Sequence, residues 1–339
     1  MTTQTLQQKL DGTLFVGINV MNNYVNGYPH KIKHLISLNL KTKTSKDTNN
    51  VVDQLISHVN SIKPNVIFFI YNCLFIQELI LRQKKHKISP DIKIIAWHQK
   101  HYFPAHVVPN LHAIIEYSKV QALKCPKANR SFPNKYIYLP YPSLLPPNYP
   151  ELFDKIPQDR KERYTGKYIF SGGNNRRDLM STLNIIKAFP QYKFVVLSNS
   201  PKYFYRLHKH GSKLPPNFYL YDDTEPIEFA YAVKNSYFCF LPYDKPGCTP
   251  GHSVSAQCIF FGKPIISTKN CSMDEAVNHG KSGYLVNKNF ESYKTHISEL
   301  MENPKLHSKM TKKTRKMAPM RHFSFFYKFI TDMVDKTIV

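Results

Sequence analysis

The stretch from Tyr237 to Val286 constrains the fold more than any other part of this chain. An apolar run, Tyr237 to Leu241, ends at Pro242, and a polar loop rich in glycine and proline runs on to Gly251. A helical stretch, Ser253 to Phe261, stops at Gly262, and a second apolar run, Pro264 to Ser267, follows. Strand, loop, helix, strand is the repeating unit of a parallel sheet, whose loops at the carboxyl edge are where ligands bind. The loop enters its helix through Gly251, His252 and Ser253, so unpaired N–H groups and the positive helix end face it. A helix end of this kind is an anion site.

A second segment carries the same logic. Phe170-Ser171-Gly172-Gly173-Asn174-Asn175-Arg176-Arg177-Asp178 lies where a strand from Tyr168 to Phe170 meets a helix from Asp178 to Ala188. Two glycines let the backbone approach a ligand closely, and two arginines place fixed positive charge at the helix start. Further strands are expected at Lys193 to Leu197 and Phe218 to Tyr221, with a helix at Ile227 to Lys234. The earlier part of the chain alternates in the same way. Strands are expected at Leu14 to Val20, Val66 to Ile70, Ile92 to Trp97, His112 to Tyr117 and Tyr136 to Leu139. Helices fall at Val51 to Ile62, capped by Asn50, and at Phe75 to Arg82, while Ile32 to Leu40 fits helix or strand. Strands alternating with helices make doubly wound α/β domains. Pro140 to Lys167, with six prolines and few periodic apolar positions, reads as a linker. The tail from Arg321 repeats apolar residues at Phe323, Phe326, Phe329, Ile330, Met333 and Val334, the stripe of an amphipathic helix.

Gly262-Lys263-Pro264-Ile265-Ile266 and Gly280-Lys281-Ser282-Gly283-Tyr284-Leu285-Val286 resemble the "GKPVI" strand and "G.nGyLV" turn of glycosyltransferases with the GT-B fold. The Gly172-Gly173 turn with Arg176, Arg177 and Asp178 is similar to their "GG..RD" start. The likeness covers the second half, and a weaker similarity to exostosin-type inverting enzymes runs from Ser236 to Ile266. It implies two doubly wound Rossmann-like domains facing across a cleft. Residues 1–150 would form the acceptor side, 151–320 the nucleotide-sugar domain, and 321–339 a helix packing back on the first domain. It further implies that Gly172, Gly173, Arg176, Arg177, Gly251, His252 and Ser253 hold the donor diphosphate. Asn199, Tyr221 and Gln257 would take the nucleoside, and Thr249 and Pro250 would contact the sugar. Many retaining members carry two glutamates eight residues apart where this chain has Thr249 and Gln257. Relatives reading "G.S...QA" are closer to Gly251, Ser253 and Gln257. A lysine common five residues after the phosphate arginine is Thr182 here, so retaining and inverting transfer both stay open.

In the first half, Trp97-His98-Gln99-Lys100-His101 follows a strand. His98 or His101 could serve as base on an acceptor hydroxyl, as could His252, since imidazole titrates near neutral pH; capping the strand end is the plainer role for the first two. Asp222-Asp223 is not a D-x-D metal motif and is expected to start the next helix, and no metal ligand is assigned. Gly17-Ile18-Asn19-Val20 lacks the G-x-G-x-x-G of a dinucleotide dehydrogenase. No run of 18 apolar residues occurs, and the first twelve residues lack a signal-peptide pattern. The six cysteines show no C-x-x-C spacing and read as reduced thiols in a cytoplasmic protein.

The formal charge of +24 is spread over both halves of the chain. Such a surface attracts nucleotide sugars, anionic membranes and nucleic acids, and Lys84-Lys85-His86-Lys87 and Lys312-Lys313-Thr314-Arg315-Lys316 are its densest runs. The reading that follows is a cytoplasmic, metal-independent glycosyltransferase, peripheral to a membrane if bound to one. It needs no cofactor beyond a UDP- or GDP-sugar substrate, and its acceptor would be a glycan, a lipid-linked molecule or a protein. A non-catalytic sugar-nucleotide or polyanion binding protein and a glycosyltransferase acting on nucleic acid remain as alternatives.

Overall fold

The computed structural model describes residues 13–18, 34–38, 45–70, 73–85, 87–98, 103–104, 106–120, 122, 132–143, 145–174, 176–198, 214–244, 251–269 and 273–337; up to residue 50 it describes backbone alone. The chain divides into two compact units. Met1–Pro140 with Ser324–Val339 form the first, and Tyr141–Phe323 the second.

The first unit runs β1 (Thr13–Ile18), β2 (His34–Leu38), α1 (Ser45–Ile62), β3 (Val66–Ile70), α2 (Cys73–Lys84), β4 (Lys93–His98), β5 (Ala113–Glu116) and β6 (Tyr136–Tyr138). Its strands lie in the order β2-β1-β3-β4-β5-β6, every pair parallel. The stretches Val66 to Phe69 and Ile94 to Trp97 are buried without a break. A parallel sheet covered on both faces demands that continuous apolar pattern. Val52, Leu55 and Val59 of α1 and Phe75, Ile76 and Leu79 of α2 join the same core as Ile67 and Phe69. Helix α1 begins five residues before the expected Asn50 cap, and the ambiguous Ile32 to Leu40 segment contributes a strand.

The second unit begins with two short helices, α3 (Tyr149–Asp154) and α4 (Gln158–Glu162). Next come β7 (Tyr168–Gly172), α5 (Leu179–Ala188), β8 (Lys193–Leu197), β9 (Phe218–Tyr221), α6 (Pro226–Asn235) and β10 (Phe238–Leu241). The unit continues with α7 (His252–Phe260), β11 (Ile265–Thr268), β12 (Gly283–Val286), α8 (Phe290–Glu302) and α9 (Pro304–Arg315). The order is β12-β11-β10-β7-β8-β9, again wholly parallel. The chain builds outward from β7 to β9, then returns to place β10 on the other side of β7. That reversal is the topological switch point, where open α/β sheets take their ligands.

Three expectations are corrected. The proline-rich segment is not a bare linker beyond Pro140: Leu145, Phe153 and Ile156 are buried with Ala230, and Tyr149 packs edge-on to Phe153 and Phe260 at 5.3 and 5.5 Å. The division between units therefore falls at Pro140, not after residue 150. Asp222 and Asp223 do not start α6, whose cap is Glu225 with Pro226 behind it. Asp223 instead pairs with Arg163 at 2.8 Å and Arg160 at 3.2 Å, beside Glu228, itself 2.7 Å from Arg160.

The last helix, α10 (Phe323–Thr337), is assigned from Ser324 onward to the first unit. Phe326 and Ile330, one turn apart, are buried, and the Phe326 ring lies 4.7 Å from that of Trp97. Burying two such side chains stabilises the helix by about 1.5–3 kcal/mol each. The side chains of Phe323 and Val334 lie outside the described residues.

Candidate functional site

The site is built at the switch point of the second unit. Strands β7 and β10 pair only at Phe238–Ile169 and Cys239–Phe170, then run on side by side without further pairing. Above that opening the two following turns lock together. Asp178 N–H donates to the Pro242 carbonyl and Asp244 N–H to the Arg176 carbonyl, both at 3.0 Å, making an antiparallel bridge between Arg177 and Tyr243. Arg176 holds a left-handed φ of 51° to do so, a conformation that costs a non-glycine residue about 1–2 kcal/mol.

Arg177 and Arg176 part company here. Arg176 is exposed, whereas Arg177 is buried with its guanidinium 4.5 Å above the Tyr243 ring. Among the described residues, Arg177 Nε and Nη1 have no hydrogen-bond partner, and neither do the Tyr243 hydroxyl and Gln257 Oε1. Gly173 makes the space for Arg177. At φ 101° a Cβ there would stand 2.7 Å from Nη2 and 3.3 Å from Val254 of α7. Gly251, at φ 99°, has the Tyr243 hydroxyl where a Cβ would go. Gly172 answers to packing instead, since a Cβ would meet the Phe229 ring at 2.9 Å.

The frame around this cluster is well satisfied. Tyr243 N–H donates to Thr268 Oγ1 at 2.7 Å, and Thr268 meets the Tyr293 hydroxyl at 2.6 Å. Asp178 caps α5 through the Ser181 N–H and pairs with Lys288 at 2.7 Å. Burial opposes ionisation of Asp178, but the bonds from Lys288 and Ser181 prevail and hold its carboxyl below the usual range. His252 opens α7 as a buried side chain, stacked 6.4 Å from Tyr141. Burial, reinforced by Arg321, lowers its pKa to about 3. The imidazole is therefore neutral at physiological pH, a hydrogen-bonding group and not a cation. Ser253 is exposed beside it, and Gln257 follows one turn further along α7.

The candidates from sequence thus divide. Gly173, Arg177, Gly251, His252, Ser253 and Gln257 share the two turns and the start of α7, with Arg176 on the outside of the first. Tyr221 stands at the end of β9, two strands from β7, with its ring 4.7 Å from Arg163. Asn199, Thr249, Pro250 and His101 lie outside the described residues, as does the side chain of His98, whose backbone ends β4 opposite Glu116. Tyr243 and Lys288 were missed. An aromatic directly after the Pro242 that closes a strand was the one available signal for Tyr243. Among the described residues no group of three His, Cys, Asp or Glu side chains could hold a metal, and no helix is long and apolar enough to cross a membrane.

Two all-parallel Rossmann-like units with these strand orders define the GT-B class of protein. A glycosyltransferase from Rickettsia africae ESF-5 is similar in structure, with a TM-score of 0.72 and 10% identity, over 96% of this chain and 98% of that one. Anabaena Alr3699/HepE in complex with UDP and glucose gives 0.66 and 11%, over 96% and 99%. The UDP-GlcNAc 2-epimerase of Neisseria meningitidis bound to UDP-GlcNAc gives 0.61 and 12%, over 96% and 99%. At such identities the likeness is one of fold, shared by transferases and epimerases. No curated protein matches in sequence. The family model described as glycosyl transferases group 1 matches residues 255–317, from within α7 to just past α9. The chain has the GT-B fold, and its likeness to glycosyl transferases group 1 lies in that segment.

Proposed function

We propose that the second unit binds a nucleotide diphosphate sugar, with the diphosphate between the β7–α5 and β10–α7 turns, and that the sugar is transferred without a metal. The observation carrying this is Arg177, a buried guanidinium with Nε and Nη1 unpaired at the switch point of the sheet. A buried cation short of acceptors is a site prepared for an anion. The first-turn N–H groups of α7 add donors aimed the same way. The complexes of HepE with UDP and UDP-glucose, and of the epimerase with UDP-GlcNAc, support the donor class.

In the reaction the bond between the sugar's anomeric carbon and the diphosphate oxygen breaks. A bond from that carbon to an acceptor hydroxyl oxygen forms, and the hydroxyl proton passes to a base. Negative charge grows on the departing diphosphate, where Arg177, Arg176 and the α7 N–H groups stabilise it. Gln257 offers its amide to ribose hydroxyls. His98 or His101 is the proposed base for a glycan, lipid-linked or protein acceptor. The test is a screen of nucleotide sugars for binding, donor hydrolysis and transfer, with and without excess chelator. Turnover that survives the chelator is the expected result. Metal-reversible loss would overturn the leaving-group chemistry, and binding without turnover of any donor would make the protein a sugar-nucleotide carrier on this scaffold.

A further inference from the structure

Away from the donor site, helix α9 carries a feature that glycosyl transfer does not use. Its sequence, PKLHSKMTKKTR, contains no acidic residue. Met310 and Thr314 turn inward and are buried, one turn apart. Lys305, Lys309, Lys312, Lys313 and Lys316 are exposed on the outer side. Their spacing of four, three, one and three residues keeps all five on one face, along about 16 Å of helix. Among the described residues none of the five forms an ion pair, although nine such pairs occur elsewhere. A groove of about 580 Å³ follows this face, lined by the five lysines with Pro304 and Ser308. At its carboxyl end the turn Ala318–Arg321 holds Met320 out at 46% exposure. That turn is anchored. Arg321 is buried, donates to the Tyr141 carbonyl at 3.1 Å, and accepts from Ser143 N–H at 2.8 Å.

We propose that this face docks the protein on an anionic lipid surface, the lysines meeting headgroup phosphates and Met320 reaching the acyl boundary. Five uncompensated charges in one row suit a plane of negative headgroups, and an anchored apolar side chain beside them is the second element that membrane surfaces select. The makeup of the face argues against nucleic acid. It holds ammonium groups, which bind as point charges, and no exposed aromatic on which a base could stack. Arg315 is no exception, because its side chain lies over Gly262.

The test uses the full chain and co-sedimentation with vesicles of phosphatidylcholine alone or mixed with an equal part of phosphatidylglycerol. Binding is expected only to the anionic vesicles and should weaken steeply with salt, which screens such fields over about 8 Å at physiological strength. Each lysine near the surface is worth about fivefold. The triple variant Lys309→Gln, Lys312→Gln, Lys316→Gln should therefore bind at least about tenfold more weakly. The matched variant Lys84→Gln, Lys85→Gln, Lys87→Gln, with the same loss of charge in the other unit, should stay within about twofold. Met320→Ser should reduce the binding that persists at high salt. Equal losses in the two triple variants would mean diffuse charge rather than a docking face, and overturn the proposal. So would absence of vesicle binding, or tighter binding to a uridine oligomer that the α9 variant abolishes.

Discussion

Replacing Arg177 by methionine separates a ligand-binding arginine from a structural one, because the two roles predict opposite signs. The wild-type guanidinium is buried with two nitrogens unpaired, and each orphaned donor costs about 1–3 kcal/mol. Against that stands its position 4.5 Å over the Tyr243 ring, worth about 2 kcal/mol for a desolvated cation–π contact. Methionine fills similar space without the charge. The net effect on the unliganded protein is between about zero and 4 kcal/mol of stabilisation. In a unit of this size 1 kcal/mol moves Tm by about 2–4 °C, so Arg177→Met should melt at or above the wild-type temperature. Binding should move the other way. Losing a charge-assisted hydrogen bond weakens a complex by about 1.5–3 kcal/mol, or roughly ten- to 150-fold. Calorimetric titration with UDP and GDP, beside thermal unfolding of both proteins, reads the two numbers. A fall in Tm of more than about 5 °C with unchanged nucleotide affinity would make Arg177 a structural residue and remove the basis of the donor assignment.

The arrangement of this site shows what the sequence could and could not carry. Both sheets were legible because strands covered on two faces must be apolar throughout, as Val66 to Phe69 and Phe238 to Leu241 are. The turn into α7 was legible because Gly251 at φ 99° takes a conformation that side chains resist. Which arginine turns inward was not. Arg176 and Arg177 are adjacent and chemically identical, and only the bridge to Tyr243, 66 positions away, sends one to solvent and the other under cover. Gly172 was read as clearance for a ligand but gives clearance to Phe229, a contact that depends on how α6 is seated. Prolines misled the domain boundary. Pro150 lies in the first turn of α3 and Pro157 caps α4, positions where a missing N–H does no harm. Helices α8 and α9 went unread although their signals were present. Asn289 and Asn303 accept from Ser292 and Leu306 N–H groups as caps, and Tyr293, Ile297 and Leu300 keep the helical period.

Three further outcomes are expected. Gly251→Ala forces a Cβ onto the Tyr243 hydroxyl at a positive φ, so it should lower the unfolding midpoint and weaken nucleotide binding; adding Tyr243→Phe should recover part of both, and no recovery would place the strain elsewhere. Lys288→Gln removes the partner that helps hold Asp178 below the usual carboxylate range, so the Asp178 titration followed by NMR should move up. Because a depressed carboxylate stabilises above its unfolded pKa and stops doing so as pH falls through its folded one, the variant should also unfold at a less acidic pH; an unmoved titration would mean that the Ser181 bonds alone set it. His252 supplies the last test, and its sign is the reverse of a salt-bridged histidine. Its folded pKa of about 3 lies below the unfolded value of about 6.5, so the unfolded chain binds a proton that the native site refuses. Stability from this residue is complete above about pH 7 and drains away as the pH drops towards 3, reaching a loss of about 2 kcal/mol at pH 5. Denaturant unfolding at pH 7 and pH 5 should show that loss in the wild type and its absence in His252→Gln. An equal acid sensitivity in both proteins would mean that the imidazole is protonated in the native state, and it would then meet a diphosphate as a cation after all.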